Sequence, residues 1–324
     1  MNGFDSEFNN LKDYILKITY RIWEEGNVEC IRNYYAEKIS VKTPISVSDT
    51  IEEVINTTYE TLKIFPDRKL LGEDVIGSEE QHGLFYSSHR ILSSATHLGD
   101  GFFGSPTGYK ISYRVIADCI CRGNKVIDEW MVRDQSAIVK QIGIKPQEFG
   151  HQLALNLKNL GGAIPKPEGL VKRWEGSSEE VRLTGLSKDL AQCYKSIWED
   201  SEFDILKKTH NRACHVHAPE GKFILGRNKL IEFLRGFTKS FRNGNYVVHN
   251  WIINEEEAKN TRVALRWSFS AEHNGLADFG KPTGAPIVIM AITHTEIQEG
   301  LVVREYHAID EISLWMQIYS YSIR

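Results

Sequence analysis

The chain has 324 residues, 41% of them hydrophobic and 25% charged, with a formal net charge of −4. That is the balance of a globular chain long enough for two domains of ordinary size. It lacks the basic excess of a nucleic-acid surface, and no apolar run approaches the ~20 residues of a membrane span.

Residues 8–25 place Leu11, Ile15, Ile18, Ile22 and Trp23 on one stripe, which predicts a helix ended by Gly26-Asn27. A short helix is expected over 28–35, then a brief strand, KISVKTP, stopped by Pro44. Asp49 is a candidate cap for a helix over 50–64, which must end before Pro66. Four β-rich runs follow, near 68–78, 83–96, 109–121 and 125–133, with Gly123-Asn124 as a tight turn. Asp134 is a candidate cap for a closing helix, SAIVKQIG. Residues 146–188 read as a linker: PQEFGHQLALNLKNL can form a helix, and GGAIPKPEG crowds prolines and glycines together. From about Ser187 the same order of elements recurs.

The recurrence is visible residue by residue. HLGDGFFGSPTG, from His97 to Gly108, returns as HNGLADFGKPTG, from His273 to Gly284, at an offset of 176. Its glycines and proline exclude a helix interior or a central strand and predict a long hairpin connection. At the same offset Arg90 matches Arg266, Glu129 matches Glu305 and Asp134 matches Asp310. Upstream, Ile22-Trp23-Glu24 matches Ile197-Trp198-Glu199 with the offset slipped by one. Solenoid repeats have periods of about 20–50 residues, so this is a tandem domain duplication. The expected fold is two tandem α+β domains, 1–145 and 189–324. Each is a curved, mostly antiparallel sheet wrapped around about three helices, cone-shaped and with a cavity.

The five cysteines, Cys30, Cys119, Cys121, Cys193 and Cys214, are odd in number and scattered. They predict reduced thiols in a cytoplasmic protein, and the polar start MNGFDSEFNNLKD does not read as a signal peptide.

The hairpin H-x-G-x-x-x-F/V-G-x-P-T-G, followed by a strand and KVIDEWMVRDQSAIVKQIG, resembles the SnoaL-like polyketide cyclases of the nuclear transport factor 2-like cone-fold superfamily. In the second half, Val216 to Pro219 and Gly226 to Leu234 resemble the family's first strand and third helix. The resemblance implies a closed apolar cavity and an acid/base aspartate on the last strand that assists an intramolecular aldol closure. That position carries Met131 in one half and His307 in the other; a histidine of the preceding strand falls at Ala117 and Thr293, and an asparagine of the first strand near Lys42 and His217.

The resemblance thus implies a small hydrophobic or aromatic ligand and no cofactor. It makes the second half the candidate for cyclase, isomerase or hydrolase chemistry, with His307, His217 and Glu305 as catalytic residues and Thr293 against the ligand. An imidazole titrates near pH 6.5, which suits proton transfer. The alternative is a ligand-binding or scaffolding protein without catalysis. Glu129 and Met131 share a strand face. If it looks into the cone, Glu129 is either a desolvated acid/base or a carboxylate paired with Arg114 or Arg133. His97 and His273 either meet a ligand at the cone mouth or bond loop atoms and shape the turn. His215 and His217 share a face, but no H-E-x-x-H or C-x-x-C spacing is present, so no metal site is assigned. Trp130 and Tyr306 are expected on the outer sheet faces, where fused copies of such a fold could pair as an intramolecular pseudo-dimer or a further homodimer.

Overall fold

The computed structural model describes residues 3–80, 83–175 and 182–322. It divides into two compact units, Met1–Ile144 and Lys145–Arg324.

In the first unit, α1 (Leu11–Thr19) runs on into a π-helical turn, Tyr20–Glu24, and α2 (Ile31–Tyr34) follows. Next come β1 (Val41–Lys42), β2 (Val47–Ser48), α3 (Ile51–Ile64), β3 (Lys69–Glu79), β4 (Leu84–Thr96), β5 (Lys110–Arg122), β6 (Lys125–Arg133) and α4 (Gln135–Gln141). The cap of α3 is Thr50, whose hydroxyl accepts from Glu53 N at 3.2 Å, and not Asp49. Asp49 lies one residue too far out: its amide instead donates to the Glu53 carboxylate at 2.7 Å, closing a reciprocal cap. The expected cap of the closing helix is present, with Asp134 Oδ1 accepting from Ala137 N at 2.9 Å.

The six strands lie in the order β2-β1-β6-β5-β4-β3, with β1 parallel to β6 and every other pairing antiparallel. Ile15, Ile18, Val54 and Ile55 of the helices pack with Val75, Cys119 and Val126 of the sheet in the buried core.

The second unit begins with the stretch read as a linker. It carries α5 (Pro146–Asn159) and α6 (Pro167–Trp174), both started by proline at a position where the missing N–H costs nothing. α5 lies against α10 (Glu311–Ser322): a Cβ on Gly150 would come within 2.4 Å of the Trp315 Cβ, and the His151 and Tyr319 rings stack at 4.4 Å. The order then repeats: α7 (Gly185–Asp200), α8 (Leu206–Thr209), β7 (His210–Ala218), β8 (Lys222–Leu225), α9 (Arg227–Thr238), β9 (Arg242–Asn254), β10 (Thr261–Glu272), β11 (Pro286–Gln298) and β12 (Leu301–Ile309). The sheet order is β8-β7-β12-β11-β10-β9, the first unit's order with β7 and β8 in place of β1 and β2. Two α+β domains of one design are therefore present.

The repeated hairpins are built alike. Gly104 and Gly280 hold φ of +90° and +82°, which side-chain-bearing residues rarely adopt. Gly99 and Gly275 allow a close approach: a Cβ there would lie 2.0 Å from Lys63 O and 1.5 Å from Lys239 O. The loops thus sit directly on the ends of α3 and α9.

Candidate functional site

Alternate residues of a strand share a face, so β6 presents Glu129, Met131 and Arg133 together. Their register partners on β5 are Cys119, Ala117 and Val115, and those pair in turn with Ser87, His89 and Ile91 on β4. This face and the helices α1 and α3 enclose a cavity of about 140 Å³, the size that admits a benzene-sized molecule. Ile15, Ile18, Val54, Ile91 and Val115 make its apolar wall, and the exposed Ser46 and Thr57 lie at its rim.

Glu129 lies inside, 6% exposed. Tyr35, just past α2, donates its hydroxyl to Glu129 Oε2 at 2.8 Å. Burial pushes the carboxyl up to about 7; the Tyr35 bond and Lys42 pull it down and Asp128 pushes it up, without overcoming burial. The pairing with arginine expected as one option is not made. Arg114 instead holds Glu73 at 2.8 Å, which Arg90 also reaches at 3.1 Å.

His89 stands two strands away in the same wall, 3% exposed. Burial, and then the neighbouring Arg90, push its pKa down to about 3, so the ring is neutral. Its Nε2 has no hydrogen-bond partner among the described residues. Sequence reasoning missed His89, Tyr35 and Arg68. His89 had a readable signal, because strand pairing puts it beside Ala117, a cavity position in the resemblance. Tyr35 and Arg68 come from a chain bend and a helix exit, where no periodicity sets direction.

Among the described residues, the equivalent interior of the second unit carries bulkier rings. Trp267 stands where the first unit has Ile91, and Tyr246 where it has Leu70; with Trp198 and Phe269 they form one buried ring cluster, centroids 5.1–5.2 Å apart in successive pairs. Among them lies a buried polar chain. Trp267 Nε1 donates to Thr293 Oγ1 at 2.9 Å, and Thr293 Oγ1 lies 3.0 Å from His307 Nδ1. His307 Nε2 is 3.2 Å from Glu305 Oε2. Glu305, 1% exposed, also takes a short hydrogen bond from the Tyr194 hydroxyl. His210 Nε2 lies 3.2 Å from Glu305 Oε1, close enough for an ion pair though too far off line to be a hydrogen bond. Burial alone would raise the Glu305 carboxyl, but the charges of His210 and His307 hold it well below the usual range.

His217 does not join this chain. It is in register with Tyr306, whereas Glu305 and His307 point to the opposite face, and its ring stacks on Tyr306 at 4.6 Å. His217 and His307, both expected as catalytic residues, therefore stand on opposite faces of the sheet and cannot pass a proton directly between them. Thr293 bonds protein partners instead of standing free in a cavity. His97 and His273 shape their loops: the Nδ1 atoms lie 3.2 Å from Thr107 Oγ1 and 3.0 Å from Thr283 Oγ1, and both rings are fully buried. Of the expected catalytic and ligand-binding residues, Glu129 and Met131 line the described cavity, and Ala117 and Arg133 stand beside them in its wall. Lys42 faces outward, over the Trp130 ring at 4.3 Å and paired with Asp128.

The family model for SnoaL-like polyketide cyclase matches residues 188–318. The second unit is a SnoaL-like domain, and the first, with the same strand order and hairpin, is its tandem copy. Among solved structures, AclR from Streptomyces galilaeus is 21% identical, covering 41% of this chain and 94% of its own, with a TM-score of 0.36. IdmH from Streptomyces antibioticus is 19% identical over 41% and 98%, with a TM-score of 0.35. TsrD from Streptomyces laurentii is 13% identical over 43% and 99%, with a TM-score of 0.36. No curated protein matches the chain. No helix among the described residues is long and apolar enough to cross a membrane, and all five cysteines are free.

Proposed function

We propose that this tandem pair of SnoaL-like domains binds a small, largely apolar or aromatic molecule in the cone of its first unit and moves a proton on it with Glu129. The observation that carries the reading is the buried Glu129 carboxyl in the cavity wall, bonded by Tyr35 and by no arginine. A carboxyl poised near 7 is half ionised at neutral pH, so it can accept a proton and return it. As the carboxylate, held by the Tyr35 hydroxyl, it takes the proton next to a ligand carbonyl and becomes neutral, and the negative charge passes to the ligand's carbonyl oxygen. The neutral His89 ring offers a polar edge in an otherwise apolar wall, suited to the oxygen that gains negative charge. The second unit, with its cone packed by rings, has the role of a structural partner. This reverses the expectation that chemistry belongs to the second half: Glu129 stands two residues before Met131 on the same face and takes the part an aspartate would have there.

The test uses acetophenone as a probe, with exchange of its methyl protons followed by NMR in heavy water. The wild-type chain should speed exchange, with a rate rising through a midpoint near pH 7. Glu129→Gln should lower the rate by about 10²-fold or more. If acetophenone binds yet exchanges only at the background rate, binding without catalysis is the function. If it neither binds nor exchanges, the cavity is not the site.

A further inference from the structure

The cavity holds two cations as well as an acid. Arg68, between α3 and β3, and Arg133, at the end of β6, both line it. Arg68 is 8% exposed, and the Nε atoms of both guanidinium groups are buried without a hydrogen-bond partner. No ion pair joins either group to a carboxylate among the described residues. Glu73 is held by Arg90 and Arg114, and Asp128 by Lys42. Glu24 is half-buried and acts on Arg68 only through space, as the weakest of the influences on it. Tyr113, 2% exposed, lies close to both: burial pushes its phenol up, but Arg133 and then Arg68 draw it below its ordinary value. One phenol can neutralise at most one of two cations.

A buried charge without a counter-ion is costly, and arginine cannot escape by losing its proton. Arg68 is such a group, and the half-buried Arg133 adds a second cation beside the same cavity, which leaves room for an anion to complete the site. The planar guanidinium fork suits a carboxylate in particular. Placement adds a second constraint. Glu129 and Arg133 are four residues apart on one strand face, so the acid/base end and the cationic end are separated by about 13 Å of backbone, with Met131 between them.

We infer that the first-unit cavity takes an anionic ligand, a small molecule whose apolar body lies along Met131 and whose carboxylate sits between Arg68 and Arg133. The inference rests on the reading of this cavity as the ligand site. Its anionic end would fix which part of the ligand reaches Glu129.

The test is calorimetric titration of the full chain at neutral pH and low salt with benzoate and, separately, its neutral isostere benzamide. Benzoate should bind at least tenfold more tightly than benzamide. Arg68→Met and Arg133→Met should each erase that difference. The comparison of the two probes on the wild-type chain stands even where a variant fails to fold. Equal affinity for both probes overturns the anion site while leaving the cavity as a ligand site. A preference for benzoate that survives in both variants overturns the assignment to these two arginines. Binding of neither probe overturns the cavity reading and this inference with it.

Discussion

Glu129→Gln should make the chain less sensitive to alkaline pH. The Glu129 carboxyl has an ordinary pKa of 4.5 and stands at about 7 when folded, mainly through burial. Below pH 4.5 both the folded and the unfolded chain keep the proton, and the carboxyl costs nothing. Between 4.5 and 7 the unfolded chain ionises while the folded chain stays neutral, so folding loses free energy as pH rises. Above 7 the loss is complete, about 3 kcal/mol at ~1.4 kcal/mol per tenfold difference in proton affinity. Glutamine keeps an oxygen that accepts the Tyr35 hydroxyl but carries no charge at any pH. The assay is urea unfolding of both proteins at pH 4.5, 6 and 8. The stability difference, variant minus wild type, should grow by about 2–3 kcal/mol across that range. Parallel profiles would mean that Glu129 titrates as an ordinary exposed carboxylate, and the case for proton transfer in the cavity would fall with it.

The buried network of the second unit makes a different forecast. His307→Ala should leave acetophenone exchange and benzoate binding unchanged, because His307 serves the packed cone, while lowering stability by about 3 kcal/mol, since Glu305 loses one of its two histidine neighbours; loss of turnover with stability intact would return the chemistry to the second unit. Gly99→Ala and Gly275→Ala should each destabilise by about 1–3 kcal/mol through the clash with a helix-end carbonyl, read as a fall in melting temperature. Gly104→Ala meets no neighbour and should cost only the strain of a positive φ, about 1 kcal/mol; a larger loss than in Gly99→Ala would refute the packing account of the repeat.

Much of the fold was legible because its determinants are local. The hairpin glycines act on their own dihedrals and on the helix end beside them, so twelve residues repeated at one offset were enough to announce two copies of one domain. Strand alternation put Glu129 and Met131 on one face before any contact was known. Register across strands is a different matter. His217 looked like a partner for His307 until β7 lay beside β12 with His217 opposite Tyr306, which turns it to the other face. The state of each cone was also beyond local reading. Trp267 against Ile91 and Tyr246 against Leu70 are differences of volume at single positions, and each lies on a strand that would be apolar in either case. They crowd one interior only because two strands and a helix bring those rings together with Trp198 and Phe269. Tyr35 and Arg68 reach the first cavity from segments far from β6 in sequence, where no period fixes direction. Sequence alone therefore determined the duplication, the order of elements and the face of the last strand, all of which are short-range effects. Which cone stays open, and which charges meet inside it, is a property of packed volume and long-range pairing, and only the tertiary structure decided it.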